Sequence, residues 1–238
     1  MELNEIIKKA KSTIPSVDTI IEEAISNLGI DKLSKKELLT NFEEFVKKVE
    51  AGAFKIYLEY EERAFKVLES FYEKGVIDLH DFTRAVRRLE FISGQMRKAR
   101  GGSSFQKIIR RLLNLSGVPC EEPHSELRQI LKKVDLVAPD GETAKNTPDK
   151  AIFLAVKRTL RERWKQVVPE QMKGARLYIV TINGTCSEGK AKEIRETGMV
   201  AYVPEELKQQ SHLRNKPWIR PLSRLPRDIK NGIPKETS

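Results

Sequence analysis

Apolar residues recur at helical spacing through the first ninety positions of the chain. Ile6, Ile7 and Ala10 form one such stripe, and Ile20, Ile21, Ala24, Ile25 and Leu28 form a second that Gly29 stops. Ser34 with Glu37 three residues later has the form of a capping box. The stripe behind it runs through Leu38, Leu39, Phe42, Phe45 and Val46. Two longer amphipathic stretches follow, Phe54 to Tyr72 and Leu79 to Phe91. The pattern predicts a helical amino-terminal region over residues 1–92 that holds no cluster of reactive side chains and serves as a scaffold or dimerisation layer. Phe54, Tyr57, Tyr60, Phe65, Phe71 and Tyr72 are expected in its core rather than as a base-stacking platform.

From residue 93 the texture changes. Ser93-Gly94-Gln95 and Arg100-Gly101-Gly102-Ser103-Ser104 are rich in breakers, and a short helix is predicted from Phe105 to Leu115, closed by Gly117-Val118-Pro119. Beyond residue 131, short apolar runs alternate with turns. Strands are predicted at 134–138, 151–156, 177–182 and 199–203, with a polar helix at 159–171 between the second and third. Two strands joined by a turn, then helix and strand, make an α/β fold: a small mixed sheet flanked by helices, in a second domain over residues 93–238. The segment after 212, with Pro217, Pro221, Pro226 and Pro234 and many arginines, is expected to be extended.

Composition narrows the class. With 39% hydrophobic and 33% charged residues the chain has a real core. No apolar run approaches the roughly 20 residues of a membrane helix, and MELNEIIKKAK lacks the apolar core of a signal peptide. Two cysteines build no disulfide framework, so a reducing, cytoplasmic setting without membrane contact is expected. Cys120 and His124 lack a second pair of ligands for zinc, and Gly101-Gly102 lacks the Lys-Ser/Thr of a phosphate loop. Residues 1–90 carry 15 basic and 18 acidic side chains, whereas 91–238 carry 29 and 16. So uneven a charge points the second part at a polyanion, most economically nucleic acid.

Hydrolysing a phosphodiester calls for a metal held by carboxylates and for a cation that orients water or neutralises developing charge. Asp135 beside one apolar strand and Lys157 at the end of the next can meet at one edge of a hairpin, and hard oxygen ligands there favour magnesium. Ala155 supplies no second acid. Glu170 is the next suitable one, and on a straight helix from Lys157 it would lie about 19 Å away, so the chain must turn, with Pro169 suited to the start of a new helix. Between them lies Arg161-Glu162-Arg163. Arginine matches O6 and N7 of guanine, and glutamate accepts from the N4 amino group of cytosine, so the triplet suits two successive C·G pairs. The competing reading is a solvated helix face with i,i+4 ion pairs.

Asp135, Lys157, Arg161-Glu162-Arg163 and Glu170 at these spacings resemble the CCGG branch of the PD-(D/E)XK restriction endonucleases, of the SsoII/PspGI/EcoRII type. The resemblance covers roughly residues 93–183. It implies a PD-(D/E)XK nuclease core, a homodimer, Mg2+, and cleavage of double-stranded DNA before the first C of a palindromic CC-N-GG-like site, leaving 5′-phosphate ends. Asp135 and Glu170 are then metal ligands, Lys157 is catalytic, and Arg161, Glu162 and Arg163 read bases. The resemblance further implies a metal-ligand position at Gln106, after Arg100-Gly101-Gly102-Ser103-Ser104-Phe105, where the family has a glutamate. Glu121 and Glu122 are alternative ligands. Gln95 matches a glutamine that contacts the minor groove. A cytosine methyltransferase is the implied genetic partner, in a prokaryotic cytoplasm. Two alternatives stand: a structure-specific repair or junction nuclease of the same superfamily, and a catalytically silent sequence-specific DNA-binding protein.

Overall fold

The computed structural model describes residues 2–130, 134–160 and 176–232. These form two compact units, one of Met1–Ile30 with Lys48–Ser104 and one of Asp31–Lys47 with Phe105–Ser238.

The first unit is helical. Its elements are α1 (Leu3–Lys11), α2 (Val17–Asn27), most of α4 (Phe42–Glu73) and the first two-thirds of α5 (Leu79–Leu115). The expected stripes of α1 and α2 are buried, apart from an exposed Leu28, and Gly29 ends α2 at φ +65°. Tyr57 is buried and donates to the Ser93 carbonyl at 3.3 Å, while Glu61 pairs with Arg97. Arg100 lies over the Tyr57 ring at 4.9 Å and donates to the Pro15 carbonyl at 2.6 Å. The aromatic expectation fails at Phe54 and Tyr72, which are exposed.

The second unit is an α/β layer. α3 (Lys35–Thr40) opens with the predicted capping box: the Glu37 N–H donates to the Ser34 hydroxyl at 3.3 Å, and the Ser34 N–H donates to the Glu37 carboxylate at 2.9 Å. After α6 (Ser125–Ile130) come β1 (Leu136–Ala138), α7 (Gly141–Asn146), β2 (Ile152–Val156), β3 (Arg176–Val180), α8 (Glu188–Glu196), β4 (Val200–Val203), α9 (Glu205–Lys208), α10 (Ser211–Arg214), β5 (Ile219–Pro221) and α11 (Leu225–Asn231). The five strands lie in the order β1-β2-β3-β4-β5, with β1 antiparallel to β2 and all other pairs parallel. The mixed sheet expected from the sequence is present, with each predicted strand in place.

β2 is buried along its whole length, as an uninterrupted apolar run in a sheet covered on both faces must be. Phe153 and Ala155 join Val137, Ile179, Ala201 and Ile219 against Ala191 and Ile194 of α8. Leu154 and Val156 are buried on the other side of the pleat, as are Tyr178 and Tyr202. Tyr202 donates to Asp228 at 3.0 Å, and Asp228 pairs with Arg220 at 3.0 Å, so the buried acid is satisfied.

Three local expectations are corrected. The helix predicted at 105–115 is the end of α5, which runs through Ser93-Gly94 and Gly101-Gly102 without a break; the predicted boundary between residues 92 and 93 therefore falls within one helix. Helical glycines cost about 1 kcal/mol each. Burial of Phe105, Ile108, Ile109, Leu112 and Leu113 on the following turns offsets this. The segment after 212 is not extended but carries part of α10, β5 and α11. Pro226 sits in the first turn of α11 and Pro221 on an edge strand, where neither does harm, and Pro234 lies outside the described residues. The helix predicted at 159–171 does not begin at Thr159, which pairs with Asn183 in a parallel bridge; residues 161–171 lie outside the described residues.

Replacing Phe153 by Ala is expected to cost about 3–5 kcal/mol, since it opens a cavity beside an interior strand. Ser34→Ala is expected to cost only about 1 kcal/mol by losing a cap. Urea unfolding curves of the two variants measure both values.

Candidate active site

The antiparallel register brings the start of β1 to the end of β2. Leu136 faces Leu154, so Asp135, one residue upstream, faces Ala155, and its N–H donates to the Leu154 carbonyl at 2.9 Å. Lys157 follows β2 directly, and its N–H donates to the Val180 carbonyl at 2.8 Å, extending the parallel ladder by one step. The side chains meet there. Lys157 Nζ lies 2.7 Å from Asp135 Oδ2 and 3.0 Å from Oδ1, and the Val156 N–H donates to Oδ2 at 2.7 Å. The Asp135 side chain is 19% exposed and that of Lys157 40%, so solvent reaches the pair from the lysine side. Burial pushes the Asp135 carboxyl above its ordinary value, and the nearby Glu122 charge adds to the rise. Lys157 and the Val156 N–H oppose it without cancelling it.

Gln106, on the last third of α5, reaches the same place. Its Nε2 donates to the main-chain carbonyl of Asp135 at 2.9 Å. The two alternative acids flank β1. Glu121 exchanges main-chain hydrogen bonds with Val137, at 2.9 and 2.8 Å. Its carboxylate accepts the Gly141 N–H at 2.6 Å and lies 3.2 Å from His124 Nε2. Glu122 is bound by Arg110 at 3.0 Å and by Arg128. Both acids are thus engaged by other groups. Ala155 is fully buried in the sheet core and offers no donor atom.

Of the residues singled out from sequence, the structure brings together Asp135, Lys157 and Gln106. Gln95 is an exposed residue of α5 in the helical unit. Arg161, Glu162, Arg163 and Glu170 lie outside the described residues. Asp140 caps α7, accepting the Thr143 N–H at 2.7 Å, as its turn setting predicts. Among the described residues, Asp78, His80 and Asp81 alone approach metal-ligand spacing, and Asp78 is spent on capping α5 through the Asp81 N–H at 2.8 Å. Among the described residues no helix is long and apolar enough to cross a membrane. Sequence reasoning misses Thr181, Asn183 and Lys190, which hold the chain next to Lys157.

Known proteins share this architecture. The type II restriction enzyme SsoII of Shigella sonnei is 25% identical over 231 residues, 88% of this chain and 75% of its own. The restriction endonuclease PspGI, solved with substrate DNA, superposes with a TM-score of 0.66 at 25% identity, covering 93% of this chain and 94% of that one. Metal-depleted Ecl18kI in complex with uncleaved, modified DNA has the same fold, with a TM-score of 0.75 at 21% identity over 96% of this chain and 82% of its own. Sheet, Asp–Lys edge and relatives together define a type II restriction endonuclease, a phosphodiester hydrolase. The family described as EcoRII C terminal matches residues 57–225, and the chain belongs to that family.

A carboxyl group whose pKa folding raises costs stability once ionised. The penalty sets in as the pH rises through the ordinary value of 3.8 and is complete above the folded value. Asp135→Asn, which keeps an acceptor for Val156, is therefore expected to gain melting temperature relative to the parent as the pH rises above 3.8. Thermal melts across that range measure the difference; a difference that shrinks with rising pH overturns the assigned direction.

Proposed function

We propose that the chain is a magnesium-dependent, homodimeric type II restriction endonuclease that cuts double-stranded DNA at a palindromic CC-N-GG-like site, before the first C, leaving 5′-phosphate ends. The observation that carries this is the Asp135–Lys157 pair at the sheet edge, with Gln106 beside it. Two identical subunits match a palindrome by symmetry, each reading one half. A cytosine methyltransferase protecting the same site is the genetic partner that such an activity requires.

The donor atoms fit a hard divalent ion. Asp135 offers carboxylate oxygens, and Gln106, its nitrogen committed to the Asp135 carbonyl, keeps its amide oxygen for a ligand. Glu170 supplies the second carboxylate in this reading. A bound magnesium ion activates water and stabilises charge on phosphorus. Lys157, held by Asp135, orients that water and neutralises the phosphate as charge develops. The Val156 N–H fixes the carboxylate so that Lys157 does not draw it away. Arg161 and Arg163 read guanine edges, Glu162 accepts from cytosine amino groups, and Gln95 contacts the minor groove.

Gln106 favours one second reading, since a neutral amide leaves the metal site one charge poorer: a silent protein that binds the same sites without cutting them. Plasmid digestion with magnesium, followed by end sequencing, separates the possibilities. Discrete bands with 5′-phosphate ends at CC/GG sites support the endonuclease. Binding without cleavage supports the silent protein, and cutting confined to branched DNA supports a junction nuclease.

Lys157→Ala is expected to abolish cleavage with DNA affinity in calcium retained, as gel shift and digestion on the same duplex measure. Arg163→Ala is expected to cost about 1–3 kcal/mol of discrimination at one C·G pair, read from cleavage rates on duplexes substituted at that pair. Undiminished cutting by the lysine variant overturns its role.

A further inference from the structure

Residues 157–160 join the end of β2 to Arg161, and each is fastened to a neighbour. Beyond the Lys157 bond to Val180, the Arg158 carbonyl accepts two hydrogen bonds, from the Asn183 N–H at 2.8 Å and from the Thr181 hydroxyl at 2.8 Å. That hydroxyl, fully buried, also faces the Asn183 carbonyl at 3.0 Å, so its one proton serves the two carbonyls. Thr159 pairs with Asn183. Leu160 is buried, and its carbonyl accepts the ammonium of Lys190 at 2.6 Å. Gly184, at φ +117°, lies along this strip: a Cβ there would meet Leu160 N at 3.6 Å and Thr159 Cα at 3.7 Å.

Lys190 sits in the first turn of α8, whose cap is Ser187. A cation in a helix's first turn opposes the helix dipole, so its position there needs another cause. The carbonyl of Leu160 supplies it: a charged donor makes a stronger bond than a neutral one, and it makes that bond to the last residue before Arg161. A one-ångström error in a reading side chain loses bidentate geometry, which makes the anchoring of the preceding backbone consequential for discrimination.

We propose that Lys190 and the Thr181 hydroxyl are positioning residues for base recognition: they latch residues 158–160, the backbone that leads into the proposed reading segment. The proposal rests on the reading of Arg161-Glu162-Arg163 given above. It assigns to α8 and to the turn after β3 a part in specificity.

The test compares cleavage of a CC-N-GG duplex with duplexes carrying one changed C·G pair, for the parent, Lys190→Met, Lys190→Arg, Thr181→Val and Arg163→Ala. Lys190→Met and Thr181→Val are expected to lower the ratio of kcat/KM values between correct and altered duplexes about tenfold, while kcat on the correct duplex stays within about threefold. Lys190→Arg is expected to restore the ratio. Hydrogen exchange at residues 158–160 is expected to quicken in Lys190→Met. Should that variant fail to fold, Thr181→Val carries the same expectation. If Arg163→Ala relaxes discrimination and both latch variants keep it, the latch is overturned while the reading segment stands. If Arg163→Ala keeps full discrimination, the reading of the segment falls, and the latch falls with it.

Discussion

The carboxylate of Asp135 is a largely buried charge, and the local arrangement of the sheet is what makes it tolerable. It accepts one main-chain N–H from β2 and a lysine ammonium from the residue after the strand's end. Both partners exist only because β1 runs antiparallel to β2 in the observed register. A one-residue slip would turn Asp135 to the opposite face of the sheet and put an unpaired acid among apolar side chains. The remaining strands are parallel, so the ends of β2, β3 and β4 share one edge, the edge at which open α/β sheets bind ligands. The first antiparallel step thus delivers an acid to an edge that the parallel steps assemble.

Some of this was legible in the chain and some was not. Ile152 to Val156 is an uninterrupted apolar run bounded by polar residues, which only a doubly covered strand explains, and the structure agrees. Asp135 and Lys157 were legible as a pair because each stands next to such a run, and the 21 residues between them have room for the short helix that separates the strands. Glycine and proline misled. Gly101-Gly102 reads as a break when propensity alone is weighed, yet the buried side chains from Phe105 to Leu113 beyond it keep α5 continuous. The proline-rich end reads as extended, yet Pro226 falls in a helix's first turn and Pro221 on an edge strand, where no hydrogen bond is lost.

The position of Gln106 could not have come from periodicity, because its value lies in a bond to a carbonyl 29 residues away. Only a family resemblance pointed to it. Lys190 was invisible for a related reason: it bonds to a carbonyl 30 residues earlier, and no local pattern marks a lysine that serves main chain rather than solvent. Contacts of side chain to distant main chain carry no spacing rule. They form a class of positioning interaction that a structure reveals and a sequence alone does not.

Gln106 also shows why a neutral amide suits its place. A glutamate there would turn a carboxylate oxygen toward the Asp135 carbonyl, two acceptors with no proton between them, and would add negative charge to a spot where burial and Glu122 already push the Asp135 carboxyl upward. Glutamine removes that conflict by donating. Glu122, for its part, is neutralised by two arginines, Arg110 and Arg128, and Asp135 by Lys157. Around β1 the described residues therefore set three cations, Arg110, Arg128 and Lys157, against three acids, Glu121, Glu122 and Asp135. Such a surface receives a phosphodiester readily before any ion is bound, because the approaching anion meets no excess of negative charge. In the proposed magnesium-dependent mechanism the cost would be a thinner set of anionic ligands, which would raise the demand on Glu170 as the proposed second carboxylate.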